Sequence, residues 1–197
     1  MQPGLTGAQV NQHLKKWNRK IGPDPSSLSA ARMGGILSNN ASGMCCGVKD
    51  NSYHTLAQAR FILPNGKLYS TEVPDDRRRF EQECPELYQG LLLIRQRILN
   101  NPDLFKKITE KYQAKNTVGY SLNAFVDHTD PLDIFAHLLI GGEGTLAFIS
   151  EAVLKTIPEY SCKSTALLLF PDIAAACQAI EPLTRSVARM VELMDRA

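Results

Sequence analysis

Apolar positions along this chain keep two different rhythms. Val10, Leu14 and Trp17 recur at helical spacing after the turn-forming Met1-Gln2-Pro3-Gly4, which predicts an amphipathic helix reaching towards Lys20. Pro23-Asp24-Pro25-Ser26-Ser27 then breaks the helix into an extended loop, because proline donates no ladder hydrogen bond and biases its predecessor away from the α region. Residues 59–69 read as a hairpin, Phe61-Ile62-Leu63 out and Lys67-Leu68-Tyr69 back, around the turn Pro64-Asn65-Gly66. From Asp75 to about Lys115 the helical period returns. Leu87, Leu91, Ile94 and Ile98 mark one apolar face, and Asn101-Pro102-Asp103 separates it from a further helix over Leu104 to Tyr112. This helical stretch reads as an insertion, 75–115, on a β-rich frame. Asn116 to Asp130 is polar and irregular. Asp130-Pro131 has the form of an N-cap followed by the first helical residue, opening a helix through Leu139. After Pro158 a strand over Thr165 to Phe170 and a helix from Asp172 to about Val187 are expected to form a new unit.

With 197 residues, 44% of them apolar, and a net charge of +2, the chain suits one domain, or one domain and part of another, and gives no electrostatic case for nucleic acid. Its one basic cluster, Arg77-Arg78-Arg79, stands beside Asp75, Asp76 and Glu81, which cancel most of its field; a solvated helix start is expected there. Cys45, Cys46, Cys84, Cys162 and Cys177 form no Cys-x-x-Cys pair and no zinc-type spacing, and the odd count fits free thiols in a reducing cytosol. The adjacent Cys45 and Cys46 are expected to be buried or half-buried thiols. Apolar runs are too short to span a bilayer.

Composition changes the picture most at two glycine-rich segments about a hundred residues apart, Gly34-Gly35-Ile36-Leu37-Ser38-Asn39-Asn40-Ala41-Ser42-Gly43 and Gly141-Gly142-Glu143-Gly144-Thr145-Leu146. Both read as turns. Glycine leaves backbone N–H groups uncovered for a pyrophosphate or the edge of a heterocycle, and Ser38, Asn39, Asn40, Ser42 and Thr145 add side-chain donors. Either segment alone reads as close packing; together they point to a nucleotide cofactor. Gly142-Glu143-Gly144-Thr145-Leu146-Ala147 fits a dinucleotide fingerprint, but Asp133 to Leu139 favours a helix where that motif needs a strand. Asp172, the candidate ribose partner, also lies about thirty residues on instead of about twenty. No Gly-Lys-Ser/Thr follows either segment, which removes the P-loop.

Five motifs in register carry a resemblance: Pro23-Asp24-Pro25-Ser26-Ser27, Gly34-Gly35, Asn39-Asn40-Ala41-Ser42-Gly43-Met44, Thr117-x-Gly119-Tyr120, and Gly142-Glu143-Gly144-Thr145-Leu146 followed by Glu151-Ala152-Val153-Leu154-Lys155. Together they resemble the FAD-linked oxidases of the vanillyl-alcohol oxidase (PCMH-type) superfamily, nearest to the branch of D-lactate dehydrogenase (cytochrome) and the glycolate oxidase FAD subunit. The resemblance implies an α+β fold: the second FAD-binding subdomain, an antiparallel sheet flanked by helices, over 1–158, and the beginning of a ferredoxin-like cap over 159–197. It implies that Pro25, Ser26, Ser27 and Leu28 line FAD, that Gly35, Asn39, Asn40, Ala41, Ser42 and Gly43 contact its pyrophosphate and ring edge, and that Glu143, Gly144 and Thr145 close the other side. The family often has Tyr-Gly soon after its Ser-Gly, where this chain has a longer loop and Tyr53-His54. A first glycine-rich subdomain would precede Met1 and the rest of the cap would follow Ala197, so the chain reads as an internal fragment, a truncated gene product or one piece of a split enzyme.

The implied chemistry is oxidation of a 2-hydroxy acid by hydride transfer to flavin N5, with electrons passing on to an iron–sulfur, cytochrome or quinone acceptor. A cytoplasmic protein, peripheral at the inner membrane face through partners, is expected. The chain offers no convincing base: His13, His54, His128 and His137 read as surface or structural residues, and Asp127-His128 with Asp133/His137 is too sparse for a metal site. The isolated chain is expected to be inactive and to bind FAD weakly, to self-associate, or to need a complementing chain. The alternative is a noncatalytic module that keeps the scaffold and binds no FAD.

Overall fold

A computed structural model describes residues 1–195 and divides the chain into two compact units, Met1–Glu159 and Tyr160–Ala197. The first opens with α1 (Gly7–Leu14), whose Thr6 cap and Gln9 bond each other's backbone N–H in a capping box. A 3₁₀ turn over Lys15–Trp17 follows and ends at Asn18 in the left-handed region. That tighter winding rotates Trp17 out of the apolar face, leaving it 54% exposed while Val10 and Leu14 pack on the core. Strand β1 (Arg19–Ile21) pairs antiparallel with β5 (Thr156–Pro158). Helix α2 (Met33–Asn39) and the short α3 (Ser52–Thr55) lead into the main sheet.

The main sheet has three strands in the order β3-β2-β4, with β2 (Leu56–Ile62), β3 (Leu68–Ser70) and β4 (Phe148–Leu154) all antiparallel. The β2–β3 hairpin turns at Pro64-Asn65-Gly66, where Gly66 takes a φ of 82°. Phe61 stands opposite Tyr69 on one side and Ile149 on the other, and this row faces the core. Between β3 and β4 run α4 (Pro74–Glu83), α5 (Pro85–Leu99), α6 (Pro102–Lys111), α7 (Ala124–Asp127) and α8 (Pro131–Leu138). Pro is the first residue of α4, α5, α6 and α8, where its missing N–H costs nothing. Asp130 caps α8 by accepting from the N–H groups of Leu132 and Asp133. Phe80 of α4 and Phe135 of α8 lie on the sheet, their rings 5.2 Å from those of Tyr69 and Phe61 respectively. On α5, Leu91 and Ile98 are buried and Ile94 is 45% exposed, so the apolar face is narrower than its spacing suggested.

The basic cluster on α4 is neutralised locally. Arg77 Nη2 donates to both oxygens of Asp133 at 3.0 and 2.8 Å, and with Nε 3.4 Å from Asp130 the guanidinium tethers α4 to α8. Arg79 pairs with Asp76 and Glu83, and Arg78, facing water, with Asp75.

Three expectations are corrected. Gly34 and Gly35 belong to α2, not to a turn, because Met33, Ile36 and Leu37 supply a buried helical face around them. The stretch 116–130 holds α7, whose Ala124 and Phe125 are buried. In the second unit, 165–170 is not a strand: these residues have no ladder partner among the described residues, and apolar character alone cannot satisfy a strand's backbone. That unit contains α9 (Ile173–Thr184), capped by Asp172, with no buried residue. Arg196 and Ala197 lie outside the described residues. No helix among the described residues is long and apolar enough to cross a membrane.

Candidate cofactor site

Helix α2 ends where Asn40 enters the left-handed region at φ 50°. The N–H of Ala41 reaches back to Ile36 O at 2.9 Å and that of Asn40 to Leu37 O at 2.9 Å, the paired bonds of a Schellman stop. Asn tolerates this conformation better than most side chains. Its buried side-chain oxygen also accepts the Tyr53 N–H at 3.3 Å, which ties the helix end to α3.

The second glycine segment docks onto this stop. Gly141 donates to Leu37 O at 3.1 Å and Glu143 to Ser38 O at 2.8 Å, while the Asn39 amide donates to the Glu143 carboxylate at 2.7 Å. Gly141 adopts a φ of 84°, which a side chain would resist, and the next two left-handed residues, Glu143 and Gly144, turn the chain outwards. The Thr145 hydroxyl donates to Gly142 O and meets the Tyr120 hydroxyl at 2.7 Å. The two segments thus form one junction, covered along one edge by the Gly119-Tyr120-Ser121 stretch.

A third strand of chain crosses beneath. A Cβ on Gly43 would sit well under 3.0 Å from the Asp24 carbonyl oxygen, so the two backbones touch only because residue 43 is glycine. Asp24 Oδ2 accepts the Cys45 N–H at 3.2 Å. Its other oxygen is buried with no hydrogen-bond partner, and the buried Ser42 hydroxyl has the Cys46 thiol as its neighbour and partner. The Lys115 ammonium reaches Gly43 O at 3.3 Å. Backbone N–H groups of Ser42, Gly43 and Gly144 find no acceptor among the described residues. Of the other sequence candidates, Ser26 and Ser27 are exposed on the turn after Asp24, and Leu28 packs inwards against Gly7 of α1. Gly35 is exposed on α2 with open space where a Cβ would stand, and Ala41 is half-buried against the core.

These groups fit part of a flavin nucleotide. Free N–H groups donate, Asp24 Oδ1 accepts as a ribose or ribityl hydroxyl requires, and Gly35 leaves a bare surface for a flat ring. Asp24 and Glu143 set two negative charges against Lys115, so a diphosphate here would rest on backbone N–H groups and that single ammonium. Asp24, Lys115 and Tyr120 were absent from the residues singled out by sequence. Asp24 and Tyr120 stand inside quoted motifs, whereas nothing local marks Lys115.

The histidines lie elsewhere. His13 packs edge-on against Trp17, and His54 bonds Asn51. His128 and His137 stack with ring centres 3.8 Å apart, and His137 also meets Tyr53 edge-on. Burial first, then the neighbouring His128, pushes His137 down to about 4, and burial lowers His128. Burial, then the bond its hydroxyl donates to Asp127 at 2.7 Å, raises Tyr53. This cluster supports α8 and α3 under the Asn40 stop. The five cysteines are free thiols; Cys46 is buried, which raises its pKa, and Cys45 is half-buried.

Residues 1–72 match a family model described as FAD binding domain. Over 99% of its length the chain is 28% identical to the D-2-hydroxyglutarate dehydrogenase of Pantoea ananatis, covering 19% of that protein. It is 27% identical to the enzyme of the same name from Haemophilus influenzae, again over 19% of the relative. Over its whole length it is 22% identical to glycolate oxidase subunit GlcD of Bacillus subtilis, covering 31% of that subunit. Among solved structures, an alkyldihydroxyacetonephosphate synthase superposes on 80% of this chain with a TM-score of 0.41 and 19% identity, using 18% of its own length. The chain therefore spans a minor part of each curated relative, about a fifth to a third.

Proposed function

We propose that the junction of residues 39–43 with 141–145 is one wall of an FAD site in a dehydrogenase or oxidase of 2-hydroxy acids. The observation that carries this reading is the meeting of three glycine-dependent segments, where Gly141 and Glu143 dock on the end of α2 and Gly43 lies against Asp24, whose buried Oδ1 has no partner. Buried polar atoms are normally satisfied, and a ligand with both donor and acceptor edges supplies what is missing. FAD, when bound, supplies a hydride acceptor at N5 for the α-carbon of the hydroxy acid. The chain's own groups hold and orient: Asn39 and Thr145 with the Ser42 hydroxyl fix one edge, Glu143 and Gly144 close the far side, and Gly35 with Pro25-Ser26-Ser27 leaves room for the ring. Leu28 supports them by docking on α1.

The substrate belongs to the 2-hydroxy acid class suggested by the names of the relatives; nothing among them singles out D-lactate. The base, the selectivity for one acid and the electron acceptor come from outside the junction, from a cap to which 159–197 contributes or from a complementing chain. The test is quenching of FAD fluorescence by the purified chain, compared with Gly35→Leu. The parent is expected to quench saturably and to lose the flavin on desalting. The variant, altered where a Cβ has open space and the fold is undisturbed, is expected to lose the quenching. Equal quenching by both overturns the site, and none by the parent overturns it too and leaves the reading of a noncatalytic module.

A further inference from the structure

Helix α5 packs its inner side, with Leu91 and Ile98 buried, against α4, α6, α7 and α8, and turns its outer side to solvent. Along that outer side run Glu86, Gly90, Leu93 and Arg97. Their spacing, i, i+4, i+7 and i+11, makes one straight stripe over three helical turns, about 16 Å long. Leu93 is 67% exposed, and Ile94 at the edge of the stripe 45%. Glu86 and Arg97 stand in solvent, and neither side chain has an ion pair or hydrogen bond among the described residues. Arg77, Arg78 and Arg79 of α4, by contrast, all meet carboxylates.

Gly90 is the odd member. Its backbone is ordinary helix, and a Cβ placed there would meet nothing within 4 Å. Neither the path of the chain nor its own packing calls for glycine, which in the middle of a helix is destabilising relative to alanine. What it leaves is a notch, one turn from a protruding leucine. The stripe is also symmetric. Gly90 and Leu93 lie equally far from the point midway between Leu91 and Leu92, and so do Glu86 and Arg97. A two-fold axis crossing the outer face at that level sets a second α5 antiparallel to the first and turns both pairs into contacts, each made twice: Leu93 of one copy in the Gly90 notch of the other, and Glu86 against Arg97. An isologous interface needs such a surface, complementary to itself. The notch lets the helix axes approach to the short end of their usual separation. A parallel pair would instead bring Glu86 to Glu86 and Arg97 to Arg97, so charge selects the antiparallel arrangement.

We infer that α5 is the surface through which two copies of this chain associate, as an antiparallel helix pair. The inference is independent of the flavin reading, since it uses none of the junction residues. One helix a side makes a small interface, so a weak dimer, dissociating at roughly 10–500 μM, is expected. Sedimentation equilibrium of the full chain over a concentration series spanning that range tests it. Gly90→Leu fills the notch where a side chain has open space; the fold, checked by circular dichroism, is expected to persist while the dissociation constant rises about tenfold or more. Arg97→Glu sets carboxylate against carboxylate and is expected to weaken the dimer about fivefold or more at low salt. Glu86→Arg together with Arg97→Glu restores both ion pairs with their signs exchanged, and is expected to return the dissociation constant to within about twofold of the parent. A chain that stays monomeric, an association that Gly90→Leu leaves unchanged, or a double exchange no better than Arg97→Glu alone overturns the proposal. The first of these leaves the face to a partner of another kind. Should the doubly exchanged variant not fold, Gly90→Leu decides by itself.

Discussion

Gly43→Ala and Gly35→Ala, one methyl group each and eight residues apart, should move stability in opposite directions. At Gly43 the new Cβ falls on the Asp24 carbonyl oxygen and close to its carboxylate, and the backbones must separate by more than an ångström to admit it. The nearest of these atoms is backbone, which cannot swing away as a side-chain end could. Overpacking of this kind costs roughly 1–3 kcal/mol, which for a chain of this size lowers the melting temperature by about 2–12 °C. At Gly35 a Cβ meets open space on a helix, and replacing a helical glycine with alanine contributes about 0.5–1 kcal/mol of stability. Thermal unfolding followed by circular dichroism measures both. A melting point for Gly43→Ala within a degree of the parent would refute the close crossing of 24 and 43. A Gly35→Ala variant less stable than the parent would refute the helical placement of Gly34-Gly35.

Asn40→Ala removes the acceptor of the Tyr53 N–H and puts alanine at a left-handed φ; a loss of about 2–3 kcal/mol is expected from the two effects together, read as a lower urea midpoint. Arg77→Lys keeps the charge but cannot span Asp130 and Asp133 at once as the guanidinium does; because Arg77 is 38% exposed, the expected cost is about 1 kcal/mol or less, shrinking in high salt. His137 binds its proton in the unfolded chain near 6.5 and in the folded chain only near 4, so between those values the unfolded state holds more protons and stability falls as pH falls. The full effect is about 3 kcal/mol, lost progressively from pH 6.5 down to about 4; His137→Gln is expected to flatten that slope in urea titrations, and an unchanged slope would count against the buried neutral imidazole. Tyr53→Phe deletes the bond to Asp127 and is expected to cost about 1 kcal/mol, with the Asn40 contact retained because it uses the backbone N–H.

Features written in short stretches of sequence were legible. Pro64-Asn65-Gly66 marks its hairpin because the turn needs a left-handed residue, and Asp130-Pro131 marks the start of α8 because a cap and a donor-free first residue are local requirements. That same helix, with a strand rather than a helix after Gly144, disposes of the dinucleotide fingerprint: the order of elements is inverted. Features that depend on partners were not. The apolar run 165–170 reads as a strand only if another strand accepts it, and Gly34-Gly35 reads as a turn until the burial of Met33, Ile36 and Leu37 is known. Both glycine segments could be named from sequence. Their meeting could not, since Asn39 and Glu143 are 104 positions apart and Lys115 arrives from a helical excursion that carries no marker.

The pairing of β2 with β4 has a consequence for how the molecule is made. Leu56 and Leu154 are register partners, so the central strand waits for its second neighbour until nearly a hundred further residues have left the ribosome. The hairpin and helices α4 to α6 rest on nearer contacts and can form while the chain is still emerging, whereas the glycine junction assembles in the same late step that adds β4. During that interval one flank of β2 is an unpaired strand edge, the kind of surface that recruits other chains. Synthesis halted before Gly141 would release a molecule with most of its helices, an open sheet and no second glycine segment to dock on α2.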